Sequence, residues 1–250
     1  MMKLNTAIFA LGLAGLLGSG SANAVIMIDD FNTDQATISG GGSSQQDVTG
    51  TNVIIGGERD ISTSSTTNAN GSVGVSSGSL NYLDTNAAND GGSSYDLSFN
   101  ISWDGDDGSQ IFDTDGLLST DFTEGGTNTG LRLFVSELTG TQFLQINVHS
   151  SGYTSGGTQD RSYGLLELAL GENFISFTDF SPIWISAGVD FTDVVSLKMN
   201  NTFAFSTAGS FSIDFIEVGN EVTNAVPAPA TLGLFGFALA GIGFLRRRGS

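Results

Sequence analysis

The 250-residue chain has no cysteine, one histidine, three prolines and only eight basic side chains against 26 acidic ones. Each shortage excludes something. Without cysteine there is no disulfide framework, no thiolate metal site and no cysteine nucleophile. A single histidine excludes an HExxH motif and a three-histidine zinc centre. A formal charge of −18 repels a phosphate backbone, so nucleic acid is not an expected partner. Apolar runs long enough to matter to a membrane stand only at the two ends. What the chain holds in quantity is glycine, at 35 residues, and phenylalanine, at 18.

Residues 1–24 read MMKLNTAIFALGLAGLLGSGSANA. A basic head at Lys3, an apolar run from Ala7 to Leu17, and small residues closing on Ala22-Asn23-Ala24 form the pattern of a secretory signal peptide. The run is shorter than the roughly 20 residues of a membrane span. Signal peptidase is expected to seat Ala22 and Ala24 in its narrow pockets and cut after Ala24, leaving Val25 first.

At the other end, Thr231 to Leu245 is fifteen residues without a charge, followed at once by Arg246, Arg247 and Arg248. Arginines against an apolar helix hold that flank in the cytoplasm, so the body lies outside and the tail inside. Fifteen residues rise only about 22 Å, short of the ~30 Å hydrocarbon core, although Val226 to Ala230 extend the segment. Such a helix is a weak permanent anchor and suits a segment held briefly in the inner membrane and then processed. Pro227 and Pro229, just outside it, force an extended stretch that an enzyme can grip.

The order Val226-Pro227-Ala228-Pro229-Ala230-Thr231-Leu232, then a Gly-rich apolar helix, then the arginine cluster, resembles the PEP-CTERM sorting signal of Gram-negative bacteria. The usual Pro-Glu-Pro is here Pro-Ala-Pro. The resemblance implies recognition by exosortase, a membrane-embedded transpeptidase-like enzyme. It also implies association with exopolysaccharide and biofilm matrix at the cell surface. The expected organisation is a signal peptide at 1–24, an extracellular domain at 25–225 and a sorting signal with a single transmembrane helix at 226–250.

The stretch 25–225 holds all 26 acidic residues but only Arg59, Arg132, Arg161 and Lys198, a net charge of −22. Its dominant signal is period-2 alternation. Tyr95, Leu97, Phe99, Ile101 and Trp103 alternate with polar residues, placing them on one face of a strand. Similar runs stand at Leu131 to Val135, Leu144 to Val148, Leu166 to Leu170, Val195 to Met199 and Phe211 to Phe215. No helical stripe persists for a full helix length. About ten strands are expected, in an all-β two-sheet sandwich or jelly roll. Phe99, Phe143, Phe174, Phe177, Phe203, Phe205, Phe211 and Phe215 are expected to supply much of the core. Thr37 to Ser94, rich in Gly, Ser, Thr and Asn, suits edge strands or long loops. The opening Asp29-Asp30-Phe31 and the closing Ile213-Asp214-Phe215-Ile216 are similar to strand ends of galactose-binding-like jelly rolls, which include carbohydrate-binding modules. That similarity bears on fold rather than ligand.

Gly56-Gly57-Glu58-Arg59-Asp60 reads as a glycine turn entering a charged strand, with Arg59 pairing a nearby carboxylate. Asp104-Gly105-Asp106-Asp107-Gly108 and Asp113-Thr114-Asp115-Gly116 carry oxygen donors that suit calcium. They equally suit turns in which aspartate bonds its own backbone. Asp30 and Asp214 form a second candidate pair if the first and last strands are neighbours. His149 has no partner at a catalytic spacing, and no GxSxG elbow exists. Trp184, Tyr153 and Tyr163 are candidates to stack on sugar rings, whereas Trp103 belongs to a buried face. The expected protein is an exported, non-enzymatic matrix or surface component with no obligatory cofactor. The alternatives are a two-carboxylate glycoside hydrolase, whose chemistry needs only two acids at the right separation, and a carbohydrate-binding module delivered by the same route.

Overall fold

The computed structural model describes residues 25–39, 44–49, 53–64, 71–85, 97–109, 111–153, 159–183, 188–201 and 208–222. The chain divides into a body ending at Asn220 and a tail from Glu221 to Ser250. Among the described residues of the body, fourteen strands build two antiparallel sheets, and a sandwich is the observed fold. The first sheet contains β1 (Ile26–Asp29), β2 (Gln35–Ser39), β5 (Ser72–Ser76), β6 (Ser79–Asp84), β8 (Gly130–Thr139), β11 (Gly171–Ser176) and β14 (Gly209–Gly219). Its order is β11-β8-β14-β6-β5-β2, with β1 also paired to β14. The second contains β3 (Ser44–Thr49), β4 (Glu58–Ser64), β7 (Ser98–Trp103), β9 (Phe143–Tyr153), β10 (Gln159–Glu167), β12 (Ser181–Pro182) and β13 (Val194–Asn200). Its order is β12-β10-β9-β13-β7-β4-β3.

The alternation does what its period dictates. Phe99, Ile101 and Trp103 on β7, Leu144, Ile146 and Val148 on β9, and Leu197 and Met199 on β13 are fully buried between the sheets. Each such side chain contributes on the order of 1.5–3 kcal/mol of transfer free energy. The residues between them, Asn100, Gln145, Asn147 and Lys198, therefore point away from the core along the outer face of the second sheet.

Three expectations change. The parity of β14 slips: Phe211 and Ile213 are buried, but so are Ile216 and Val218, because the pairing with β8 shifts register after Ser212 and again after Ile213. A bulge of this kind turns every later side chain to the other face. Phe215 consequently leaves the core and stacks on Phe134 outside, ring centroids 6.0 Å apart. Phe143, Phe174 and Phe177 are likewise only half-buried, whereas Phe31 and Phe122 are completely enclosed; Phe203 and Phe205 lie outside the described residues. The run Leu166 to Leu170 is a strand only as far as Glu167. Beyond it Asn173 donates to the carbonyls of Ala169 (2.7 Å) and Gly171 (3.0 Å) and accepts from the Ala169 amide, turning the chain from one sheet to the other. Finally, the Ser/Thr/Gly-rich stretch supplies four strands, β3 to β6. β3 is an edge, while β4, β5 and β6 lie inside their sheets.

Among the described residues, no helix is long and apolar enough to cross a membrane. The signal-peptide residues Ala22 and Ala24 and the sorting residues Val226, Pro227, Ala228, Pro229, Arg246, Arg247 and Arg248 lie outside the described residues.

Candidate functional site

One end of the sandwich is organised around a buried charge. Ile55–Gly57 form a 3-10 turn in which Gly56 and Gly57 take φ values of 75° and 91°, and β4 begins immediately after. Arg59 then enters the interior with no exposed surface. Its Nη1 donates to both carboxylate oxygens of Asp29 at 3.0 and 2.8 Å, Nε to Gln35 Oε1 at 2.8 Å, and Nη2 to the Thr33 carbonyl at 2.7 Å. Trp103 Nε1 donates to Asp29 Oδ2 at 2.9 Å and the Phe31 amide to Oδ1 at 2.8 Å. Burial pushes the Asp29 carboxyl upward, and the guanidinium and these donors draw it part of the way back. The sequence expectation of an Arg59–carboxylate pair and a buried Trp103 is met in one cluster.

The acidic loop after β7 behaves as turns. Glu58 Oε2 accepts from the amides of Asp107 (2.9 Å) and Gly108 (3.0 Å). Asp104 accepts from the Asp113 amide at 2.6 Å, Asp107 from Ser109, and Asp113 from Asp115. A Cβ at Gly116 would overlap the Asp104 carbonyl oxygen, so the two halves of the loop close on each other only because residue 116 has no side chain. Asp104 is 2% exposed, and burial, with the charges of Asp107, Asp113 and Glu58 nearby, pushes its carboxyl up to about 6 against the Asp113 hydrogen bond. Asp30 bonds the Asn32 amide, and Asp214 accepts from Ser79 and Ser136. β1 and β14 are indeed neighbours, yet these two carboxylates serve different turns and strands. Among the described residues, no group of three or more acidic or histidine side chains is arranged to hold a metal ion.

The same loop is pinned to β13 by the Leu117 amide on the Val195 carbonyl and the Thr120 amide on the Val194 carbonyl. Between its anchors it lays Phe112 over the outer face of the second sheet. There, antiparallel register aligns polar residues in rows, because directly opposed residues share a face. Asp60, Ser102, Lys198, Asn147 and Tyr163 stand side by side on β4, β7, β13, β9 and β10. The next row runs Ser62, Asn100, Asn200, Gln145 and Leu165. On the other side lie Ser196, His149 and Arg161. Phe112 divides this face into hollows of about 260 Å³ and 500 Å³, and Asn100, Phe112 and Lys198 line both. The larger falls within the roughly 300–1,000 Å³ of ordinary ligand clefts. Lys198 Nζ lies 5.7 Å from the Phe112 ring centroid, and the His149 ring 5.2 Å from it. Burial pulls the Lys198 ammonium below its usual range, opposed by the charge of Asp104.

Chemically, this face offers carboxamides, which both donate and accept and of which Gln145 Nε2 already donates to Asn147 Oδ1 at 2.9 Å, beside an aromatic ring with an apolar surface. That combination suits a ligand with many hydroxyls and apolar C–H faces. Of the expected stacking residues, Tyr163 is on the groove's row and half-buried. Trp103 is fully buried, Trp184 is outside the described residues, and the side chain of Tyr153 is too. Phe112 and the amides were not singled out by sequence. The amides left a signal in Phe-Asn-Ile-Ser, Gln-Ile-Asn and Lys-Met-Asn, where every second residue of a buried strand is an amide, serine or lysine, but only register brings them together.

Residues 225–248 match the PEP-CTERM protein-sorting motif, so the chain carries the sorting signal of an exported protein. No curated protein matches the chain. Among solved structures, it is similar to a family 11 carbohydrate-binding module from Clostridium thermocellum in complex with a β-1,3-1,4-mixed-linked tetrasaccharide (12% identity, 80% of this chain and 98% of that one, TM-score 0.41). It is also similar to a family 12 xyloglucanase from Bacillus licheniformis (9% identity, 71% and 99%, TM-score 0.40) and to a family 30 carbohydrate-binding module (12% identity, 84% and 96%, TM-score 0.35).

Proposed function

We propose that this exported protein is a non-catalytic component of the extracellular matrix that holds polysaccharide in the groove across its second sheet, after exosortase has processed its tail near Pro227 to Pro229. The observation that carries this reading is the convergence of Asn100, Asn147, Asn200 and Gln145 with Phe112 and Tyr163 on one outer face. The non-catalytic part is supported by the lining itself, in which Asp60 is the one carboxylate among the described residues, whereas glycoside cleavage uses two flanking the bond.

The test is co-sedimentation of the mature protein with exopolysaccharide from the producing organism, followed by an assay for reducing ends. Retention without new ends is expected. The double substitution Asn100→Ala, Asn147→Ala should weaken it about tenfold or more, at roughly 1 kcal/mol per hydrogen bond, in a protein that stays folded although the Gln145 Nε2–Asn147 Oδ1 bond is lost. No retention overturns the glycan association. Release of new ends overturns the non-catalytic reading and favours a hydrolase.

A further inference from the structure

Resting on the reading that the groove binds glycan, we propose that its ligand carries carboxylate groups, as a polymer with uronic acid residues does, and that Arg161 and Lys198 read them. The argument begins with where the cations are. The stretch 25–225 has four basic side chains against 26 acidic ones. Arg59 is enclosed at the end of the sandwich beside Asp29, and Arg132 belongs to the first sheet, within 2.5 Å of Glu172 and 2.9 Å of Glu217. Arg161 and Lys198, the other two, both line the larger hollow, on the same face as the amides. In a domain of this acidity, half of the basic side chains meet at one groove, and a neutral glycan would need neither of them.

Their placement also fits a polymer. Arg161 is on β10 and Lys198 on β13, two strands apart, and their register positions differ by two residues. With strands about 4.8 Å apart and a rise near 3.4 Å per residue, their Cα atoms are separated by roughly 12 Å. That span is long enough for the two cations to address different residues of a chain. Arg161 is exposed and its planar fork matches a carboxylate bidentately, while Lys198 is a point charge beside Phe112. The acidic groups near this path include Asp60, at the β4 end of the row, Asp104, whose charge acts on Lys198, and Asp113 and Asp115, which flank the lining residue Thr114. The net charge of the body repels a polyanion only at long range, because at physiological ionic strength exposed charges are screened beyond about 8 Å. Contact inside the groove is decided locally.

The experiment compares native exopolysaccharide from the producing organism with the same material after carbodiimide activation and borohydride reduction, which turn carboxylates into primary alcohols. Measurement is at 0.15 M salt with the mature protein. At least tenfold weaker binding to the reduced polymer is expected. Arg161→Gln and Lys198→Gln should each lower affinity for the native polymer about fivefold and lower affinity for the reduced polymer by a clearly smaller factor, so that the preference between the two polymers shrinks. Equal binding to both polymers overturns this proposal while leaving the groove a glycan site. A preference for the native polymer that survives both substitutions also overturns it, because other groups then read the charge. Binding to neither polymer removes the glycan reading and this proposal with it.

Discussion

Replacing Arg59 with methionine keeps most of the side-chain volume and deletes the guanidinium. Four hydrogen bonds disappear: two to Asp29, one to Gln35 and one to the Thr33 carbonyl. Asp29, with no exposed surface, is left charged without its counterion. Breaking one partner of a buried ion pair costs about 3–5 kcal/mol. With a urea slope near 2 kcal/mol/M, the unfolding midpoint should fall by roughly 1.5–2.5 M at pH 7. Adding Asp29→Asn to Arg59→Met removes the orphaned charge but keeps one acceptor oxygen in place of two, so either the Trp103 indole or the Phe31 amide loses its partner. The pair should therefore be less destabilised than the two single losses added together, by about 2 kcal/mol. The pH dependence provides a second reading. In the Arg59→Met protein the Asp29 carboxyl lies further above its unfolded value. The folded form then binds the proton more tightly, and stability is greatest below the unfolded pKa and falls as pH rises. The deficit against wild type should shrink on acidification. A loss below about 1 kcal/mol, or a deficit that is flat with pH, would refute the account of the cluster as a charge-compensated core.

Asp104→Asn keeps the acceptor for the Asp113 amide and removes a carboxyl that is pushed from 3.8 to about 6. Because the folded pKa is the higher one, wild type loses stability between pH 3.8 and 6 as the group ionises. Relative to wild type, the variant should gain about 2 kcal/mol between pH 4.5 and pH 7. Urea midpoints at the two pH values measure this, and a pH-independent difference would refute it. Replacing Arg246, Arg247 and Arg248 with glutamine removes the cytoplasmic stop of a short helix. Retention and tail processing should fall, as seen in the intact mass of the exported chain, and normal processing would refute the inferred orientation.

The sandwich was legible in β7, β9 and β13 because buried apolar residues alternate with polar ones through Phe99 to Trp103, Leu144 to Val148 and Val195 to Met199. It was not legible at β14, where the bulge reverses parity and sends Phe215 outward, nor at Leu168 to Leu170, where apolar residues continue past the end of a strand into an Asn173-stapled corner. β3 to β6 were hidden by composition: small polar residues carry weak period-2 contrast, and β5 is held by its neighbours as much as by Val73 and Val75. At the site, the Arg59 pair and the turn-forming aspartates followed from local chemistry. The groove did not, because Asn100, Asn147 and Lys198 are separated by dozens of residues and meet only through register. Phe112 was invisible for another reason, since its position depends on a loop closed by Gly105, Gly116 and β13.

β14 lies between β8 on one side and β6 with β1 on the other, with Ile26 opposite Val218 and Ile213 opposite Leu80. Synthesis therefore delivers the first strand of this sheet at the outset and its middle strand last. Until residues 209–219 emerge, three strands wait with open edges and the sandwich cannot close. Such delayed closure favours an unfolded, translocation-competent chain during export, and it makes premature termination anywhere before Gly209 a source of unpaired, sticky edges rather than of a smaller folded domain.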